Sequence, residues 1–449
     1  MRKKLLAVLL CIVMTTMLLT GCGGSGGTTE EKSDVATEKP EEKTESEAET
    51  AEEQITLKFM RMGSPEQATP IFEPIIEEYE KQNPNIKIEF EVISWAESLT
   101  KTKLQFSSDQ FADVGFMPQY IYEYAEGGYL LDLTPYFEED PDFLNQFSES
   151  VIETCKYKGS LYGVPCALGA YSLWYNADLF EQAGLDPNDP PETWEELLDY
   201  AETIKQKTGI PGLAVGAKAA SDLSDVYEAI FACNAGVGVW SDEEQRFVIA
   251  DHRDVAVDAV EYMQEMMNRD IHQPNPIEID FYGGRTLFRD HQVAMTIDGV
   301  WMVKEIRDQL QDGSETLRTT LLPSGAEGSI SFAGIGQWCI PASCEHPDEA
   351  WKFIKFLMAP ENQARHGDNW GLLPILEEQQ TMEQYEDYYW EPLIKQTTEH
   401  ELVGYIQNPN VTNFQTVIAE QVSDAMMGKQ TAEETVDNMI KLLDEIVAE

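Results

Sequence analysis

The chain has 449 residues and carries 31 Lys and Arg against 81 Asp and Glu, a formal net charge of −50. Such a surface repels nucleic acid and anionic lipid headgroups, which are held by clusters of Lys and Arg. With 42% hydrophobic and 10% aromatic residues the composition is that of a globular chain, and the acidity, which favours solubility, identifies no ligand.

Met1-Arg2-Lys3-Lys4 is basic and Leu5 to Leu19 is almost wholly apolar. This is the layout of a secretory signal, too short to span a bilayer comfortably. Leu19-Thr20-Gly21-Cys22 resembles the lipobox of bacterial lipoprotein precursors, in which the cysteine thiol receives a diacylglycerol and becomes the mature amino terminus. Residues 1–21 are therefore expected to be a lipoprotein signal peptide and Cys22 the lipidated residue. An ordinary cleaved signal with an incidental Cys22 is the plainer alternative. Residues 22–54 contain Gly, Ser and Thr, then Glu-rich text with no aromatic residue. Such a stretch has little to bury and reads as a disordered acidic tether.

The remainder, 55–449, exceeds the ~250–300 residues at which one hydrophobic core stops growing, so two lobes are expected. Ile55–Met60 alternates as a strand, and Ile71–Lys81 carries an apolar helix face. Asn83-Pro84-Asn85 stops that helix before a second strand at Ile86–Val92. Ser94-Trp95 opens a helix through Ser107, Asp113–Phe116 is a third strand, and Ile121–Glu126 is helical. Strands alternating with helices imply a parallel sheet. Ligands of such sheets sit beyond the carboxyl ends of the strands, which draws attention to residues 61–65 and 117–120.

The five cysteines beyond the signal, Cys155, Cys166, Cys233, Cys339 and Cys344, are odd in number and irregularly spaced. They make no disulfide framework, although a Cys155–Cys166 or Cys339–Cys344 bridge stays open. No C-x-x-C pair occurs and the six histidines are scattered, so neither a metal site nor a cofactor is expected. No G-x-S-x-G is present, and Gly236-Val237-Gly238 and Gly334-Ile335-Gly336 do not continue as phosphate loops. No catalytic residue is assigned. An exported hydrolase is the remote alternative.

Several segments, taken in order, resemble the family 1 extracellular solute-binding proteins, the maltose-binding-protein-like components of sugar ABC importers. They are Asn83–Ile88, Gly127–Tyr136, Tyr157–Pro165, Tyr171–Phe180, Pro191–Leu197, Ala294–Trp301 and Ala350–Leu357 with Pro360–Gln363. The resemblance implies an α/β, two-lobed periplasmic-binding-protein-like fold with a ligand cleft between discontinuous lobes. Lobe 1 would comprise 55–168 and 338–375, and lobe 2 would comprise 169–337 and 376–449. Crossings are expected near Ala167–Ser172, Ala333–Cys339 and Pro374–Gln380. It further implies capture of a mono- or oligosaccharide for ABC permease subunits; a monomer is expected, and the lipid on Cys22 would anchor it at the extracellular face of the cell membrane.

A sugar needs a flat aromatic under its apolar face and planar polar groups at its edge. Trp194 and Trp351 read as packing, and Trp95, at a helix start, as structural. The candidate contacts are Trp301, Trp370, Trp338, Asp298, Tyr120, Gln119, Arg61 and Tyr171. Trp301 is first among them, because the family's Trp in this segment stacks on the sugar and Gly299 leaves room beside it. The maltodextrin binders' acidic residue six positions before Tyr175 is replaced by Gly169, so maltose specificity does not carry over. A binder of a polyamine, an oxyanion or another small solute on the same fold is the rival, with Asp298 and Asp222 available to hold amines.

Overall fold

The computed structural model describes residues 54–449 apart from 119–120, 219, 310–315, 374, 377–378, 380–384, 386–387 and 449. The signal peptide, Cys22 and the tether therefore lie outside the described residues, as do Gln119 and Tyr120.

Ile55–Met62 pairs in parallel with Ile86–Ile93 on one edge and with Val114–Met117 on the other. The connections are the helices Pro65–Gln82 and Trp95–Ser107. The first helix starts earlier than its apolar pattern suggests. Ser64 caps it by accepting from the Gln67 N–H, Pro65 occupies the first turn, and Pro70 and Pro74 lie inside. Each interior proline costs ~3 kcal/mol. Five apolar side chains buried on one face, Ile71, Phe72, Ile75, Ile76 and Tyr79, return ~1.5–3 kcal/mol each, so packing prevails.

Two long strands carry the rest. Val164–Asn176 is buried throughout and runs antiparallel to Ser331–Cys339, with Ala333 opposite Ala170 and Gly334 opposite Gly169. Their register shifts between Gly336 and Gln337. The far half of the first long strand also pairs with Met295–Gly299 and with Leu317–Thr320. The sheet order is thus Leu317–Thr320, Val164–Asn176, Ser331–Cys339, Val114–Met117, Ile55–Met62, Ile86–Ile93. Leu402–Gly404 joins the start of Ser331–Cys339 in parallel.

Two hydrophobic cores flank these long strands. One holds Phe59, Phe72, Val164, Ala170, Trp338 and Phe353. The other holds Tyr171, Leu173, Tyr227, Phe231, Phe332 and Phe414. The long strands pass from one core to the other near Ala170–Tyr171 and between Phe332 and Trp338, where the first two crossings are expected. Pro374–Gln380 lies largely outside the described residues. Core membership does not follow the expected division of the chain: Trp174, Phe288, Val293, Val300, Met302, Val303, Ile306 and Leu317 pack in the first core, and so do Leu376, Tyr385, Tyr389, Trp390 and Leu393. A helical period reports that a face is buried but not which core buries it.

All five cysteines in the described residues are free thiols. Trp338 is wholly buried between Phe59, Phe72 and Phe116, at ring-centroid separations of 5.4, 6.0 and 5.5 Å. Trp338→Ala is expected to lower stability by ~3–5 kcal/mol, read as a shift in urea midpoint with an unchanged slope.

Candidate functional site

The crossing strands carry glycines at Gly169, Gly334 and Gly336, and an aromatic ring lies on each. A Cβ at 169 would stand 3.1 Å from Cζ3 of Trp301, one at 334 would stand 3.0 Å from Cε2 of Tyr405, and one at 336 would meet Phe116 at 2.4 Å. The floor between the two cores is therefore paved with rings, tight against a Cβ at 169 and 334 and incompatible with one at 336 without a shift of Phe116.

Trp301 follows the strand Met295–Gly299 and packs, half-buried, against both cores. Its Nε1–H donates to Oδ1 of Asp298 at 2.5 Å. The same carboxylate accepts from the Gly299 N–H at 2.7 Å and from Nη2 of Arg285 at 2.8 Å, while its Oδ2 accepts from Nε of Arg285 at 2.7 Å. This is the bidentate guanidinium–carboxylate fork, shut inside the protein. Burial pulls the Arg285 pKa down, and the charge and hydrogen bonds of Asp298 more than reverse the effect, holding it above its usual value. Nη1 of Arg285 reaches Glu305 at 3.3 Å. Asp298 is 1% exposed, and its carboxylate, with three of its four bonds on Oδ1, positions the indole.

Tyr171 meets Trp301 edge-on at 5.4 Å and Phe281 at 5.9 Å, and its hydroxyl donates to Asp225. Tyr282, with about half of its surface exposed, faces the Arg285 guanidinium at 5.0 Å. Tyr171, Asp298 and Trp301 are thus gathered into one constellation.

Arg61, Trp370 and Trp338 form a second group in the first core. The Arg61 guanidinium lies 3.6 Å from the Phe116 ring centre and 3.9 Å from that of Trp370. It donates to the Met62 carbonyl at 2.6 Å and approaches Nε2 of His366 at 3.5 Å. Among the described residues it has no carboxylate partner within 4.0 Å. Desolvation lowers its pKa to about 9, which still leaves it charged at neutral pH. Burial, with Arg61 beside it, holds the His366 imidazole well below its ordinary pKa. Arg61 is 1% exposed. It is an internal cation held by two π-faces, not a surface clamp for hydroxyls, and Trp338 likewise has no free face. Trp370 is buried too, its ring filling the space above Gly63. All three, expected as contacts, are buried in this arrangement.

The family model for bacterial extracellular solute-binding proteins matches residues 63–364. The chain belongs to this family. Among relatives of this solute-binding protein is a binding protein of Brucella abortus, 25% identical over 318 residues, 70% of this chain and 75% of that one. The arabinooligosaccharide-binding protein of Bacillus subtilis is 25% identical over 52% of each chain. The multiple sugar-binding protein of Streptococcus mutans is 22% identical over 72% of this chain and 75% of its own. Among solved structures, a solute-binding protein of Thermotoga lettingae bound with α-D-tagatose superposes with a TM-score of 0.79. It is 22% identical and covers 88% of this chain and 100% of its own. These likenesses establish the two-lobed binding-protein fold.

Sequence reasoning did not single out Arg285 and read Trp95 as structural. Arg285 lies on the helix Phe281–Arg289 and gives no signal until the strand carrying Asp298 is placed beside it. Trp95 stands just beyond the carboxyl end of the second strand, is 36% exposed, and meets Phe116 edge-on at 6.0 Å. Its position after a strand end was the available clue.

Arg285→Met leaves the Asp298 carboxylate buried and unpaired and is expected to cost ~3–5 kcal/mol in urea unfolding. Adding Asp298→Asn should recover a large part of that loss, because the uncompensated charge is then gone.

Proposed function

We propose that the protein captures a carbohydrate between its two cores and hands it to the permease subunits of an ABC importer. The observation that carries this reading is Trp301, a half-buried indole touching both cores and fixed in orientation by Asp298. A ring so placed offers a flat apolar face to a pyranose and touches residues of both lobes. Exposed Trp95 and Tyr282 add an apolar face from either side. A solute that contacts both lobes favours their closed arrangement by as much as its affinity for that arrangement exceeds that for the open one. The sugars bound by the Bacillus and Streptococcus relatives and by the Thermotoga structure support the same class. Gly169 under Trp301 leaves no room for the acidic residue that maltodextrin binders carry there, which supports a different saccharide.

The export half of the reading rests on the amino-terminal sequence. A diacylglycerol at Cys22 would hold the protein at the outer face of the cell membrane, with the acidic tether as a spacer. Cys22→Ala should move the protein from the membrane to the soluble fraction. Mass spectrometry of the wild-type amino-terminal peptide should find the lipid mass on Cys22, and an unmodified Cys22 would remove the anchor.

Thermal unfolding of the untethered protein against a panel of mono- and oligosaccharides should find at least one that raises Tm. Trp301→Ala should weaken that saccharide roughly ten- to hundred-fold, the loss of one buried aromatic face. A panel with no stabilising saccharide would remove the carbohydrate class.

A further inference from the structure

Gly169 and Gly334 stand directly opposite each other in the antiparallel ladder of the crossing strands. Side chains at two such positions project from one face, with Cβ atoms about 4.5–5.5 Å apart. Trp301 fills the first of these places and Tyr405 the second, with ring atoms 3.1 and 3.0 Å from where the Cβ atoms would stand. The indole and the phenol are therefore neighbours on one face of the crossing. Residues two along each strand share that face. They are Tyr171, edge-on to Trp301, and Phe332, whose ring centre lies 4.8 Å from that of Tyr405.

Tyr405 follows the strand Leu402–Gly404. Tyr171 and Phe332 are buried, whereas Tyr405, like Trp301, keeps part of its surface exposed. A ring that only filled the space above Gly334 would need no exposed surface. Its hydroxyl hydrogen-bonds the carboxyl of Asp225, which also accepts from the Tyr171 hydroxyl at 3.1 Å. Asp225 comes from the helix Ala220–Ala235 and is 6% exposed. Neither it nor Asp222 and Glu228 on the same helix has a Lys, Arg or His within 4.0 Å among the described residues, unlike Asp298, which has Arg285. A buried carboxyl without a counter-ion depends on hydrogen-bond donors. Two phenols serve Asp225 as donors, and the same bonds hold both rings in place.

We propose that Tyr405 is a ligand-contacting residue, the second ring of the binding floor, and that the solute lies across Trp301 and Tyr405 together. The inference rests on the carbohydrate reading through Trp301 and adds a determinant of specificity to the same site. Each ring has its own buried carboxyl, Asp298 for the indole and Asp225 for the phenol. Side by side they offer an apolar platform wider than one indole, which favours a saccharide whose C–H face continues over both.

The test is a calorimetric titration with the saccharides of the thermal panel, among them arabinotriose, mannobiose, lactose and α-D-tagatose. Tyr405→Ala should weaken whichever of these the wild-type protein binds by about ten-fold. Gly334→Ala keeps the phenol but pushes it from its seat, and should weaken the same saccharide by about three-fold or more. In the Tyr405→Ala background Gly334→Ala should cost nothing further, because the ring it displaces is gone. If Tyr405→Ala does not fold, the Gly334→Ala titration decides alone. Smaller losses in the folded single variants overturn the Tyr405 contact and leave the carbohydrate reading standing. An undiminished Gly334→Ala loss in the Tyr405→Ala background also overturns it, by assigning the effect to the glycine itself. A wild-type protein that binds no saccharide of the panel removes the carbohydrate reading, and the Tyr405 contact with it.

Discussion

The arrangement of the site depends on one buried carboxylate. Asp298 receives four hydrogen bonds, two from Arg285, one from the indole of Trp301 and one from the Gly299 amide. A desolvated carboxylate is costly unless it is paired and hydrogen-bonded, and here it is both. The consequence is rigidity. The indole beside the two cores has its ring nitrogen fixed at one oxygen, its edge against Tyr171 and its face over Gly169. The strand Met295–Gly299 and the helix Phe281–Arg289 are joined through the same ion pair, so the wall of the second core is tied to the platform itself.

The crossing strands supply the other requirement, which is space. Gly169 and Gly334 lie opposite each other in the ladder, and Trp301 and Tyr405 occupy the volume their side chains would have needed. Gly336 does the same for Phe116, whose far side carries the Arg61 guanidinium. In the first core a cation is held between rings without a carboxylate. In the second, the row Asp222, Asp225 and Glu228 is held without a cation.

Much of this was legible in the sequence, for reasons that vary with the residue. The strands of the first core and their helices follow from alternation and from Asn83-Pro84-Asn85, because local periodicity decides them. The crossings near Ala170 and Phe332 follow from the resemblance, since no periodicity marks where a strand changes core. Trp301 and Asp298 were recognised as neighbours, but the role of Asp298 depends on Arg285, thirteen residues earlier, and on a register that only folding sets. The burial of Arg61 was not legible, because a basic residue at a strand end is usually solvated. Two aromatic rings, Phe116 and Trp370, enclose it, and neither lies near it in sequence. Trp95 reads as structural because a tryptophan at a helix start commonly packs inward, whereas here it is 36% exposed and meets only the edge of Phe116 among the ring contacts of the described residues.

The central claim is that Trp301 is the platform for the solute and that Asp298 acts by orienting it. The most direct measurement is a calorimetric titration of Asp298→Asn with the saccharide that stabilises the wild-type protein, alongside its unfolding midpoint. The expected result is an affinity about ten-fold weaker in a protein that remains folded, because the indole keeps its surface and loses its fixed orientation. An unchanged affinity in the folded variant would contradict the claim and place the solute elsewhere.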